Sequence, residues 1–280
     1  MIARLLAGFL MLCWIAAGLA APARAGTLDL QGHFTQGGLV SGTTDPGAQV
    51  RLDGRHVRVS PIGHFLLGFG RDHPAEAHLE VTFPDGATER RTLAIAARKY
   101  RIQRIDGLPP KMVTPPEEVL ARIHAEAARI AAARAEDRPE PLFESGFIWP
   151  AVGPISGVFG SQRILNGEPR RPHFGLDIAA PPGSPVVAPA DGIVVIAETD
   201  MYYTGGTVLL DHGYGLTSVY SHMSDVAVTV GQRVHQGDRI GSVGATGRAT
   251  GPHLDWRINW FDQRLDPAYF VPPMPSPPAE

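Results

Sequence analysis

One cysteine occurs in 280 residues, and it is Cys13 near the amino terminus. Disulfide bridges are thereby excluded, and any metal centre must be built from His, Asp or Glu. An excess of one charge is also missing: 25 basic against 28 acidic residues leave a formal net charge of -3. Such a chain exerts no bulk attraction on a polyanion, so no nucleic-acid partner is expected. A retained membrane span is not expected either, because the apolar run from Leu5 to Ala21 is short, is interrupted by Gly8 and Gly18, and has no basic stop-transfer flank. With Arg4 before it and Ala23-Arg24-Ala25 after it, the run reads as a secretory signal peptide over 1–25, cleaved after Ala25. The expected product is a secreted chain without cysteine, held by its own core and suited to a bacterial periplasm or cell envelope. What is abundant is Gly (32) and Pro (26), in a sequence 44% hydrophobic and 19% charged. That excludes general disorder and favours a mostly β protein of short strands and tight turns.

Three segments follow the leader. Over 26–102 the pattern has period two: Ala48, Val50 and Leu52 alternate with polar residues before Asp53-Gly54, and Ala77, Leu79, Val81 and Phe83 run into Pro84-Asp85-Gly86. This predicts a small N-terminal β-sandwich, and the stretch Gly42 to Val50 with Gly63-His64-Phe65 resembles bacterial immunoglobulin-like modules. A linker over 103–146 contains a predicted helix, 115–135, with Thr114 as its cap and Glu117 completing a capping box. Its stripe of Val119, Leu120, Ile123, Ala127 and Ile130 is expected to dock on the protein, and the proline-broken stretch 136–144 to mark the domain boundary. Strand patterning resumes over 147–270, and the proline-rich tail, 271–280, is expected to lack structure.

Chemistry concentrates in the last domain. His173 and Asp177 are four apart, but Pro172, Gly175 and Pro181 argue against a helix, and on a straight strand the two would lie about 13 Å apart. Gly175 must therefore bend the chain if both are to reach one point. His253 and Asp255, at i and i+2 of a strand, share a face with Cα atoms roughly 6.5 Å apart. Arg163 and Asn166 carry donors suited to a peptide or carboxylate substrate, and Tyr220, two before His222, is expected to share its face and line a groove. His212, in a turn, reads as structural.

Taken in order, His173-Phe-Gly-Leu-Asp177, Asp191-Gly192, Asp211-His212-Gly213, Tyr220-Ser-His222, Gly237-Asp238 and His253-Leu-Asp255 resemble the lysostaphin-like (LytM-type) zinc metalloendopeptidases over about 120 residues. The resemblance implies a β-rich metallopeptidase domain with a groove, one zinc, and hydrolysis of peptide bonds in peptidoglycan cross-links or stem peptides. It assigns His173 and Asp177 as zinc ligands, His222 and His253 as catalytic histidines, and the third ligand, a histidine in the family, to Asp255. Asp can ligate zinc at a similar distance. A zinc centre with an open position acidifies water and polarises a carbonyl, while the two histidines handle the proton and the oxyanion. The alternative function is a catalytically inert relative that binds cell wall or activates a partner hydrolase of the envelope. A biotinyl-type carrier, suggested by the turns at Val230 to Val234 and Gly237-Asp238, is excluded because no Lys occupies the hairpin position.

Overall fold

A computed structural model describes residues 26–107 and 115–275. The expected signal peptide, Thr114 and the end of the tail lie outside the described residues. The N-terminal strands are β1 (Leu28–Gly32), β2 (Leu39–Thr44), β3 (Gln49–Leu52), β4 (Arg55–Val57), β5 (His64–Gly68), β6 (Glu76–Thr82) and β7 (Thr88–Ala94). They form two antiparallel sheets, β1-β2-β5 and β4-β3-β6-β7. Alternation dictates the core: Val50, Leu52, Ala77, Leu79 and Val81 are buried while Gln49, Arg51, Glu76 and His78 are exposed.

Strand β8 (Ile102–Ile105) and helix α1 (Glu117–Ala135) lead into the second half. There follow β9 (Ile155–Gly157), β10 (Gln162–Leu165), β11 (Glu168–Pro169), β12 (Leu176–Ala179), β13 (Pro185–Val187), β14 (Gly192–Met201), β15 (Gly205–Asp211) and β16 (Leu216–Met223). The last are β17 (Asp225–Val226), β18 (Arg233–Val234), β19 (Arg239–Ser242), β20 (His253–Trp260) and β21 (Gln263–Leu265). The main sheet runs β18-β14-β15-β16-β20-β12-β9, with β21 on β20, and β13-β19-β17 form a smaller sheet. Strands β15 and β16 are buried along their whole length, so both faces of the main sheet are covered.

Four sequence expectations meet the structure here. The helix starts at Glu117 rather than at 115, with Pro116 at its N-cap and no side-chain cap hydrogen bond. Of the expected stripe, Val119, Ile123 and Ile130 are half-buried while Leu120 and Ala127 are exposed, and Ile130 with Ala133 packs on Ile196, Met201, Leu209 and Val219. The segment 136–144, where the domain boundary is expected, is stitched to the second half. Arg138 Nε donates to buried Asp211 at 2.9 Å, Tyr214 N donates to the Arg138 carbonyl, and Phe143 N donates to the His212 carbonyl. A Cβ at Gly213, whose φ is +85°, would sit 1.7 Å from the Glu140 carbonyl, so only glycine admits this crossing. The start of the tail is likewise docked: Trp149 Nε1 donates to the Pro272 carbonyl at 2.9 Å and Met274 packs on the core.

The two halves share one hydrophobic cluster, which runs from Val40, Phe65 and Phe69 to Trp256, Trp260 and Leu265. Gly68 lets Trp260 approach, since a Cβ there would lie 2.7 Å from the Trp260 Cβ. Beneath the main sheet, His212 is fully buried, with Nδ1 2.6 Å from the Asp191 carbonyl and Nε2 2.6 Å from Ser218 Oγ. Burial lowers its pKa to about 4 against an ordinary 6.5. The unfolded chain therefore binds this proton more readily, and stability is lost as pH falls from 6.5 towards 4. The loss integrates to about 3 kcal/mol. Urea unfolding across that window should show the slope, and His212→Gln should flatten it.

Candidate metal centre

Register brings the acidic residues together. Asp177 on β12 lies directly opposite Asp255 on β20, and Ser221 on β16 lies opposite Asp255 from the other side. His173, just before β12, turns back so that its Nε2 is 3.0 Å from Asp177 Oδ1. The bend demanded of Gly175 is present, and a Cβ there would lie 2.2 Å from Asp255 Oδ1. Gly157 serves the other carboxylate in the same way, at 2.1 Å from Asp177 Oδ2. One ligating atom each from His173, Asp177 and Asp255 fall within 4.8 Å of one another, and all three residues are buried.

This donor set fits a divalent cation. His173 Nε2 and Asp177 Oδ1 are buried polar atoms without a hydrogen-bond partner among the described residues. Leaving such atoms unsatisfied is costly, and a cation between them would satisfy both. One nitrogen and two carboxylate oxygens are donors that zinc accepts.

His222 and His253 stand beside the set with ring centroids 4.7 Å apart. His222 Nδ1 lies 2.8 Å from the Thr246 carbonyl, and His253 Nδ1 lies 2.8 Å from the Gly251 carbonyl. A carbonyl only accepts, so both Nδ1 atoms carry the proton and both Nε2 atoms present a lone pair. His253 Nε2 is 3.9 Å from Asp177 Oδ1. Burial pushes the His222 pKa down, against the pull of Asp255, which keeps the imidazole neutral.

Tyr220 does not line a groove. It is fully buried, pairs across the sheet with Trp256, and its hydroxyl is 2.5 Å from Ser218 Oγ. Strict alternation would put His222 on that same core side. Instead His222 has φ +68°, and this left-handed residue breaks the alternation and swings the imidazole to the metal side. Such a conformation costs about 1–3 kcal/mol in a non-glycine residue, a kind of strain that clusters at functional sites.

Arg163 on β10 is at the ligands rather than on a surface loop. Its Nη2 is 3.0 Å from His173 Nδ1 and 3.6 Å from Asp177 Oδ2. Parallel pairing of β10 with β8 positions it, and its Nε donates to Gln103 Oε1 at 3.4 Å. A guanidinium has no acceptor, so in this arrangement His173 Nδ1 accepts and Nε2 holds the proton. A cation on Nε2 requires the proton to move to Nδ1 and Arg163 to retreat. Asn166 is exposed at the β10–β11 turn, where Asn166 (φ +48°) and Gly167 (φ +82°) supply the two left-handed positions of a tight hairpin.

The sequence reading missed Arg257. Its Nε lies 3.0 and 3.1 Å from the two Asp255 oxygens, and its Nη2 also donates to Oδ2. Burial opposes ionisation of Asp255, yet Arg257 and the neighbouring imidazoles outweigh it and hold the carboxyl well below the usual range. The period-two argument that joined His253 to Asp255 would have found Arg257 one step further along the strand. Formally, a dication with His173, Asp177, Asp255 and Arg257 has the same charge as one with a single carboxylate and two imidazoles. The second carboxylate is therefore compensated.

Helix α1 lies on this same face. Cross-strand partners Ile196, Leu209, Val219 and Arg257 form one row across β14, β15, β16 and β20, next to the row of Ser221, Asp255 and Asp177. The helix covers that first row through Ile130 and Ala133. Further along, Glu126 Oε2 accepts from Tyr202 N at 2.9 Å, and the Thr204 carbonyl in the same hairpin accepts from His222 N at 2.7 Å. The helix thus braces the hairpin that supports His222.

A β sheet presenting a buried His–Asp–Asp set with two tautomer-locked histidines beside it defines a mononuclear metallohydrolase type of centre. The model of peptidase family M23 matches residues 171–267, which span every one of these groups except Arg163. A crystal structure from Pseudomonas aeruginosa, described as a candidate peptidase M23, superposes with a TM-score of 0.67 at 31% identity, covering 84% of this chain and 94% of that one. The chain belongs to peptidase family M23. Among curated relatives, it is 41% identical over 105 residues to the peptidoglycan DD-endopeptidase ShyA of Vibrio cholerae, covering 37% of this chain and 24% of that protein. It is 39% identical over 122 residues to the DD-carboxypeptidase/endopeptidase Mpg of Neisseria meningitidis, covering 44% of this chain and 28% of that protein. The matches span about a quarter of these relatives' length.

Proposed function

We propose that the chain is a secreted zinc endopeptidase that hydrolyses peptide bonds of peptidoglycan cross-links or stem peptides in the cell envelope. The observation that carries this reading is the convergence of His173, Asp177 and Asp255 with the free Nε2 atoms of His222 and His253. The names of the relatives support the substrate, and the apolar leader supports export. Among the described residues no helix is long and apolar enough to cross a membrane.

Zinc held by His173, Asp177 and Asp255 would supply Lewis acidity towards water and the scissile carbonyl. The remaining work belongs to the chain. Either imidazole can take a proton at Nε2 from the attacking water, because Nδ1–H is already fixed on a backbone carbonyl. The imidazole that has taken it then donates that proton to the leaving amine, and its neighbour supports the developing oxyanion when it enters the reaction as the imidazolium, with a second proton from solvent on its Nε2. Arg163, once off His173, carries a fork suited to a substrate carbonyl or carboxylate.

One observation favours the second reading, an inert domain that binds wall or activates another hydrolase: Arg257 engages both Asp255 oxygens. Digestion of purified peptidoglycan by the full chain, read by mass spectrometry, separates the two. New amine termini that vanish with a chelator are expected. Wall binding without any cleavage at saturating zinc would establish the inert reading.

A further inference from the structure

Three arginines with one shared carboxylate line a cavity of about 310 Å³ at the carboxyl-terminal end of α1. They are Arg55 from the N-terminal sandwich, Arg134 from the last turn of the helix, and Arg264 from β21. Arg134 is 8% exposed, its Nε has no hydrogen-bond partner, and no ion pair reaches it among the described residues. Arg264 donates to Asn259 Oδ1 at 2.6 Å and lies 5.6 Å above the Phe174 ring. The carboxylate on the lining, Asp262, is already engaged: Oδ1 pairs with Arg55 at 2.5 Å, and Oδ2 accepts from Gln263 at 3.2 Å.

A buried guanidinium without a counter-charge carries a large desolvation cost, and it is retained where something neutralises it. Here the surroundings make matters worse. Burial, followed by the positive charges of Arg264 and Arg257, presses the pKa of Arg134 down. Arg257 is spent on Asp255, and Arg264 is itself lowered to about 10 by burial and by Arg257 and Arg171. The last turn of a helix favours a cation, but the dipole there offers only about 0.3–1 kcal/mol, too little against the burial of a charge.

We propose that this cavity is an oxyanion site, in which Arg134 and Arg264 hold a carboxylate or phosphate group. A second cavity, of about 520 Å³, shares Asp262 and Arg264 with the first and is lined by Phe174, which follows His173 in the chain. On β20, Asn259 is the cross-strand partner of Arg264, and it stands four residues beyond Asp255, about 13 Å along the strand. A peptide lying from the metal towards α1 would bring a carboxylate to this point about four residues from the bond at the metal. The anion site itself does not require the peptidase reading to hold.

Thermal melting and titration calorimetry of the full chain, at constant ionic strength with chloride as reference, test the site. Inorganic phosphate, an N-acetylated tetrapeptide acid and its carboxamide serve as probes. Saturable binding and a raised melting temperature are expected, with affinity reduced roughly tenfold or more in Arg134→Met and in Arg264→Met. Both variants retain His173, Asp177 and Asp255, so phosphate bound at a metal would survive in them and is told apart. Binding of phosphate alone identifies a free anion, and binding of the acid but not the carboxamide identifies a peptide carboxylate; either supports the site. If Arg134→Met fails to fold, Arg264→Met reads the same loss. Absence of saturable binding in the parent chain, or equal binding in the folded variants, overturns the proposal.

Discussion

Asp177→Ala is expected to leave the purified chain without zinc. Asp177 Oδ1 and His173 Nε2, 3.0 Å apart, are the two atoms of the metal set that are buried without a hydrogen-bond partner among the described residues. Loss of a supporting partner of a metal ligand costs about 10–100-fold in affinity, and loss of a ligand should exceed that. Elemental analysis after dialysis against a weak chelator is the readout. Circular dichroism must accompany it, because the substitution also removes the carboxylate near the Arg163 guanidinium. Stoichiometric zinc in a folded Asp177→Ala protein would move the metal elsewhere.

His222→Ala and His253→Ala should behave differently, keeping zinc while losing about 10²–10⁴ in hydrolysis rate each. Their Nδ1 atoms are committed to the Thr246 and Gly251 carbonyls, and neither belongs to the set that converges within 4.8 Å. The double variant should lose little more than the worse single one, since the two imidazoles handle one proton between them. Loss of zinc in either single variant would make that histidine a ligand and displace Asp255 from the role.

Much of this was legible in the residue pattern, and the failures are instructive. Turn dipeptides and period-two runs predicted the mostly β architecture because burial of alternate side chains is enough to specify a strand. The His173–Asp177 bend was deducible because a straight strand would hold the two apart. Tyr220 was misplaced because the same alternation was extended through His222, whose left-handed backbone has no signature in the neighbouring residues. The docking of α1 was legible in Val119, Ile123 and Ile130, but the contact of Ala133 and the burial of Arg134 were not, because neither residue stands out in a hydrophobic stripe. Arg163 reaches the ligands through pairing of β10 with β8, a parallel contact between segments about 60 residues apart that local pattern does not encode.

Arg257 compensates the charge of Asp255. Two carboxylates alone would weaken the acidification that zinc, when bound, would supply to water, and the guanidinium fork on Asp255 would offset that loss. For Asp255 to ligate a cation, one of the two oxygens held by the Arg257 fork must turn to it. A map of anomalous scattering at the zinc edge, from crystals of the full chain grown with zinc, decides whether it does. One peak per chain is expected, about 2.0–2.2 Å from His173 Nε2 and from one oxygen each of Asp177 and Asp255. A peak bound by His173 and Asp177 while Asp255 stays wholly on Arg257, or no peak at this position, would contradict this ligand set.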